Sequence, residues 1–410
     1  MTIFSANRGR AVAAFCIALC SPAAGVALGQ EPAGQLPQTP NTALYARLEQ
    51  AVIRIHSIFD PPLHPVIGGV APGGSWGAGI GYDAPGRGPW DFSAKALYTL
   101  NNYWVAQAIA GYEGRRATVD AFARAREMRR LDYYGTGPSS QLFNRTSYAY
   151  RDPVVGVLGD FRATPWLTLG ARVEEIWPYA RSGRRLPSIE QRFFPTDALG
   201  LFTQPVYGRY QGSLELQLPA AAGDGFFQGT TSRVTYAIYD QQNEIQNFNF
   251  RRVDLEAKQV LAGFAPHHRL TLSGWVATTS TDAGNVVPFM LQPTLGGKSD
   301  IRSVHDQRLG TDGTTATLRG YRDLRFTDRN LLLLQAEYRV PIWGPFDGTV
   351  FADAGKVAHT SSEVDLTDLR RDVGFSLSIM KGWSTWARMD VAFGSGEGTR
   401  VFFTLGDLTP

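Results

Sequence analysis

The sequence predicts an all-β protein, a closed antiparallel transmembrane β-barrel of sixteen strands preceded by a short N-terminal helix. Three observations carry that expectation. Many segments alternate apolar and polar side chains over about 9–13 residues, the length that a tilted strand needs to cross hydrocarbon. An N-terminal export signal precedes a chain that has no cysteine beyond it. The last segment, residues 400–406, reads RVFFTLG and is aromatic-rich, as the final strands of barrels bound for the bacterial outer membrane are.

Composition narrows the alternatives. The 410 residues are 43% hydrophobic and 19% charged, and no internal stretch of them approaches the run of about 20 apolar residues that a membrane-spanning helix requires. With 12% aromatic residues the chain is too apolar to be disordered. A formal net charge of +3 gives no basic field for nucleic acid.

In chain order, residues 1–29 read as a signal peptide. Arg8 and Arg10 form its basic region, residues 11–19 its apolar core, and Ala27, Leu28 and Gly29 its cleavage site. Cys16 and Cys20 both lie inside it, so the mature chain is expected to hold no disulfide and no thiol chemistry. Residues 30–72 read as a periplasmic linker with a short helix. Leu44, Leu48, Val52, Ile55 and Phe59 recur at helical spacing, and Pro61, Pro62 and Pro65 end the pattern. Residues 73–410 read as the barrel.

Within that span the alternation is regular. Val119, Ala121, Ala123 and Ala125 share one face, and Asp120, Arg124 and Arg126 the other. Val253, Leu255 and Ala257 oppose Arg252, Asp254, Glu256 and Lys258. Leu332, Leu334, Ala336, Tyr338 and Val340 oppose Gln335, Glu337 and Arg339; Met389 and Val391 oppose Arg388 and Asp390. Strands are expected to start near residues 75, 91, 103, 117, 147, 166, 208, 229, 248, 268, 285, 331, 348, 371, 385 and 399. The one near 285 is interrupted by Pro288 and Pro293; if it is a loop, a replacement is expected in 181–206. A soluble sandwich would give the same alternation. Strand length, the export signal and the aromatic last strand favour lipid outside and water within. Lipid in turn demands closure, because bare edge N–H and C=O groups there cost several kcal/mol each.

One stretch carries a more specific pattern. Arg319-Gly320-Tyr321 is followed by Glu337-Tyr338-Arg339 and then by Phe351-x-Asp353-x-Gly355, and residues 287–289 (VPF) and 295–297 (LGG) precede them. This order and spacing resemble the BamA/TamA-like outer-membrane barrel superfamily, the "bacterial surface antigen" family. The resemblance covers 286–406 well and the rest of 73–410 loosely. It implies that Arg319, Gly320 and Tyr321 form the tip of a long loop folded into the lumen. It also implies that Arg319 pairs with Glu337 and Asp353 on the wall. Alternation independently puts Glu337 on the polar face. An arginine fork suits carboxylates.

The chain departs from the family in a polar insertion, roughly residues 298–317. Only residues 30–72 separate the signal from the first expected strand, too few for the family's periplasmic repeat domains, so the resemblance implies a member without them. It further implies a bacterial outer-membrane protein that inserts or passes other proteins, or acts as a scaffold. Its partners would be outer-membrane lipid and periplasmic or outer-membrane client proteins, with no nucleic acid. The family's seam between first and last strands is expected at residues 76–82 against 400–405. The alternative function is a passive channel for small solutes.

No enzyme, cofactor or metal is expected. GGSWG at 73–77 matches a nucleophile elbow around Ser75, but a strand follows it where a helix is required. His267 and His268 are adjacent, and His56, His64, His305 and His359 show no ligand spacing. Asn144-Arg145-Thr146 reads as an ordinary loop. Trp76, Tyr82, Trp90, Tyr98, Trp166, Trp177, Tyr207 and Trp343 are expected as interfacial girdle.

Overall fold

A computed structural model describes residues 62–71, 74–84, 88–219, 226–243, 247–262, 265, 267–297, 316–381 and 384–405. The alternating segments form strands throughout. In chain order they are β1 (Leu63–Gly68), β2 (Gly77–Asp83), β3 (Trp90–Thr99), β4 (Trp104–Glu113), β5 (Ala117–Tyr133), β6 (Thr146–Arg151) and β7 (Val154–Thr164). There follow β8 (Leu167–Ile176), β9 (Tyr179–Ser182), β10 (Tyr207–Leu218), β11 (Phe227–Gln241), β12 (Phe250–Ala262) and β13 (Arg269–Ser280). The last are β14 (Thr294–Leu295), β15 (Phe326–Thr327), β16 (Asn330–Trp343), β17 (Phe346–Ala358), β18 (Arg370–Lys381), β19 (Ser384–Gly394) and β20 (Gly398–Leu405).

Sixteen of these make one wall, each paired antiparallel with the next along the chain. The other four are accessory. β6 pairs with the top of β5 and with β9, and β14 with β15 form a small separate ladder. The wall is inside-out relative to a soluble protein. Val173, Val350, Val373, Val401 and Phe403 are all more than half exposed, whereas Arg126, Arg252, Asp353 and Arg388 are buried. The enclosed charges neutralise one another. Arg126 grips Asp152 with two nitrogens, at 2.8 and 2.7 Å, Arg209 reaches Glu174 at 2.6 Å, and Arg252 forks onto Asp254 at 2.9 and 3.0 Å.

Among the described residues the hydrogen-bonded sheet holds eighteen strands rather than the expected sixteen, because β6 and β9 join it; the sixteen that run in chain order also differ from the expected set in three places. The first wall strand is β1, inside the segment read as linker, and not the strand near 75. Pro61, Pro62 and Pro65 suggested a helix stop there. Pro65 is tolerated because, among the described residues, β1 pairs with β2 alone and lies at a sheet edge. The segment near 285 is not a strand; it turns into the lumen through a short 3-10 turn, Phe289–Leu291. No wall strand replaces it in 181–206, where only the end of β9 and a 3-10 turn, Ile189–Gln191, lie. The strand expected near 147 splits, β6 standing above the wall and β7 forming it. The short helix at 43–59, the signal and most of the polar insertion lie outside the described residues.

Closure is a further difference. Among the described residues no ladder joins β1 to β20, so these are the two edges of the wall. The seam therefore lies at 63–68, and residues 77–83 pair on both sides, with β1 and β3. Most of the expected girdle residues are exposed, Trp90 at 63% and Tyr98 at 56% among them. Tyr207 is an exception: it is fully buried inside, edge-on to Tyr239 and Phe250.

The lipid-facing reading can be checked at Val234, which is exposed at mid-strand between Leu214 and Leu255. Val234→Arg should destabilise the barrel by about 2–4 kcal/mol. The measurement is urea unfolding from lipid vesicles, with Val234→Ala as the reference. An unshifted midpoint would mean that this face does not meet hydrocarbon.

Candidate functional site: a latch inside the barrel

The site is built by a cross-strand row on three neighbouring strands. Gln335 of β16 stands opposite Asp353 of β17, which stands opposite Asp372 of β18; two residues along, Glu337 stands opposite Phe351, and Phe351 opposite Gly374. Gly374 is needed here. A Cβ on it would fall 2.3 Å from the Phe351 ring, so its hydrogen leaves room for that ring to lie against the inner wall.

Arg319 comes down onto this row from the long connection between β13 and β16. Its guanidinium lies over the Phe351 ring, 3.6 Å from the centroid. Its Nε and Nη2 donate to the two oxygens of Asp353 at 2.7 and 2.6 Å, and Nη1 donates to Glu337. Gln335 Nε2 donates to Asp353 at 3.1 Å, and also to the carbonyls of Ala316 and Thr317. The structure thus brings Arg319, Glu337 and Asp353 together, all at most 4% exposed.

A second arginine completes the arrangement. Arg388 of β19 donates to Glu337 Oε1 at 3.0 Å, to Ser376 Oγ at 2.9 Å and to Asp390 at 2.8 Å. Two guanidiniums and four carboxylates, Glu337, Asp353, Asp372 and Asp390, therefore share one buried cluster. Alternation had placed Gln335, Arg388 and Asp390 on the polar face, but nothing in the linear pattern ties them to Arg319.

Gly320 and Tyr321 set the approach. A Cβ on Gly320 would lie 2.5 Å from both the Asp372 Cβ and the Gly394 backbone nitrogen, so backbone meets backbone there. Tyr321 is 2% exposed, packs edge-on against Phe326, and donates to the carbonyl of Arg371 at 3.3 Å. Around it the inner face turns apolar: Trp275, Leu295, Leu318, Leu331, Leu333 and Val357 form one cluster. The LGG segment folds back onto the turn. Gly296 and Gly297 adopt φ values of +116° and +81°, and the Leu324 nitrogen donates to the Gly296 carbonyl at 3.2 Å.

Arg325 is an anchor that sequence reasoning missed, because it sits in a loop without periodicity. It pairs with Glu397 of the β19–β20 turn and donates to Ser140 Oγ and Ser140 O, both at 2.8 Å, in the loop after β5. It also lies 4.8 Å from the Tyr134 ring centroid. Burial pushes the Tyr134 phenol up to about 12, so it remains a neutral hydroxyl. One residue thus ties the lumen segment to two well-separated parts of the wall. Among the described residues no group of His, Cys, Asp and Glu has the arrangement of a metal site.

No protein-family model and no curated protein matches this chain. Solved structures do. BamA from Haemophilus ducreyi lacking POTRA domains 1–3 superposes with a TM-score of 0.54 at 12% identity, over 88% of this chain and 77% of that one. CdiB from Acinetobacter baumannii does so with a TM-score of 0.50 at 9% identity, over 83% of this chain and 58% of that one. The likeness is one of fold: an outer-membrane barrel of the BamA-like kind.

Removing Arg319 leaves Glu337 and Asp353 buried with less compensation. Arg319→Ala should cost about 3–5 kcal/mol in urea unfolding. Adding Asp353→Asn should then cost less than it does alone, since the two changes are coupled. Strict additivity would mean that the pair does not act as a unit. Gly320→Ala should mimic Arg319→Ala, because its methyl would lift the tip off Gly394.

Proposed function

We propose that this chain handles proteins at the outer membrane, inserting or passing them at its wall or scaffolding them there, and that it is not an open pore. It resides in the bacterial outer membrane, with the long connections on the outer face. The observation that supports this reading is a pairing of two features. The lumen holds a segment fastened by Arg319 and Arg325, while β1 and β20 share no ladder among the described residues.

A filled lumen offers a solute little passage. An unzipped edge offers an incoming strand N–H and C=O groups to pair with, the usual route by which strands add to a sheet. Both edge strands are short among the described residues, six residues in β1 and eight in β20, so each edge presents few backbone groups. The partners in this reading are outer-membrane lipid and β-rich client proteins. It assigns the chain no catalytic chemistry, no cofactor and no nucleic acid.

The second reading, a passive channel, draws on the sixteen wall strands, enough for an aqueous pore. Planar-bilayer recording separates the two. The intact protein should give at most brief, small openings, and deleting residues 298–330 should produce large steady currents. Large steady currents from the intact protein would favour the channel. The seam has its own test. Ile67 and Val401 both point outward on the edge strands. A disulfide between cysteines at these positions should stop client insertion into vesicles, and reduction should restore it. Full insertion with the lock formed would count against the proposal.

A further inference from the structure

Beside the latch lies a cavity that the proposed function does not use, lined by the same long connections that the proposal places on the outer face. It has a volume of about 710 Å³, within the roughly 300–1,000 Å³ of small-molecule sites. The loop after β5, the connection before β10, residues 286–292, Arg329 and His359 line it.

Three features of this lining point to one ligand chemistry. The first is Gln292, only 8% exposed. Its Nε2 donates to the Val287 carbonyl at 3.3 Å, which fixes the amide, and its Oε1 has no donor among the described residues. A buried acceptor of this kind is unfavourable until an O–H or N–H reaches it. The second is a mixture of hydrogen-bonding side chains and rings. Ser139, Asn144 and Thr196 line the cavity with side chains not engaged in hydrogen bonds among the described residues, and Phe193 supplies aromatic surface, backed by the buried Phe289. Hydroxyl and amide groups beside rings suit a ligand that is hydroxylated at its edges and carries C–H bonds on its faces. The third is charge. Arg192 and Arg329 line the cavity against one carboxylate, Asp197, whose Oδ2 already accepts from the Phe194 nitrogen at 3.2 Å. Arg329 also contacts His359 Nε2 at 2.6 Å, and Arg192 also donates to the Phe143 carbonyl. Each guanidinium has further N–H donors.

We infer that this cavity is a binding site for an acidic saccharide, a sugar ring bearing a carboxylate or phosphate, presented at the outer face of the barrel. Hydroxyls satisfy Gln292 and Asn144, the ring faces lie on the aromatic side chains, and the acid meets Arg192 and Arg329. The sugar has two possible sources, a surface polysaccharide or a free monosaccharide in the medium. Their recognition chemistry is the same.

Saturation-transfer NMR on the full-length barrel tests this, in lauryldimethylamine oxide so that the detergent carries no sugar headgroup. The probes are an oligogalacturonate, galacturonic acid, a neutral galactose oligomer and inorganic phosphate. The acidic sugars should bind, the neutral oligomer about tenfold more weakly, and phosphate alone should not compete. Tighter binding of the oligomer than of the monomer identifies the polymer as the source, and equal binding the free sugar. Gln292→Leu and Asn144→Ala should each weaken binding about tenfold, the change expected for roughly 1.4 kcal/mol. Resistance of the folded barrel to unfolding in cold detergent gels checks that each variant is intact, and Asn144→Ala decides if Gln292→Leu fails that check. Absence of saturation for every sugar, equal competition by phosphate, or unchanged binding by intact variants would overturn the inference.

Discussion

A guanidinium taken out of water must be neutralised where it lands, and the interior of this barrel is organised around that constraint. Arg319 can occupy the lumen only with Asp353 and Glu337 at their present depth. The carboxylates in turn rely on Gln335 and Arg388. Buried ion pairs are poor sources of net stability, since dehydrating both partners cancels most of their attraction. What such a pair does well is specify an arrangement. A loop tip displaced by one residue would leave four carboxylates facing a single arginine, Arg388. Only one seating of the lumen segment therefore satisfies the cluster, and Gly320, Gly374 and Gly394 make that seating sterically possible.

The wall was legible in the sequence because its period of two survives from end to end. The side chains at 119–126, 252–256 and 387–393 face outward and inward as their alternation indicates. Errors arose where another rule outweighed the pattern. Proline-rich residues 61–65 read as a break, yet a strand with one partner has spare N–H positions and accepts Pro65. Residues 286–292 have strand-like hydrophobicity, but Val287, Phe289 and Met290 spend it on a core inside the barrel. Tyr207 looked like girdle because composition does not reveal on which face an aromatic ring lies. For the latch, alternation supplied the acidic row, and the family resemblance supplied the arginine that meets it. Arg325 was not legible at all, since its partners, Ser140 and Glu397, are remote in sequence and belong to turns.

Two anchors with different reach divide the work of holding the lumen segment. Arg319 fastens its tip to adjacent strands, β16 and β17, with Arg388 of β19 alongside. Arg325 bridges the loop after β5 and the turn before β20. The second connection matters more for the shape of the wall. Among the described residues no ladder joins the ends of the sixteen-strand wall, so no backbone pairing there holds those ends at a fixed separation. A side chain that ties the region near β5 to the region near β20 supplies such a restraint from within.

That restraint bears on how an edge can persist beside lipid. Unpaired backbone groups in hydrocarbon cost several kcal/mol each, so a long bare edge is not sustainable. The strands at these edges are short, and β1 is proline-bearing, which lowers the number of donors exposed. Glycine at 77 and 79 in the adjoining β2 brings backbone close to the backbone of β3, and Gly81 leaves room for the His64 side chain of β1, as the short Cβ distances at these positions show. The edge region is thus tightly packed across its ladders but sparse along its rim. A wall built this way concentrates its structural cost at one short line, and the lumen segment is fastened next to it, at Gly394 and Glu397.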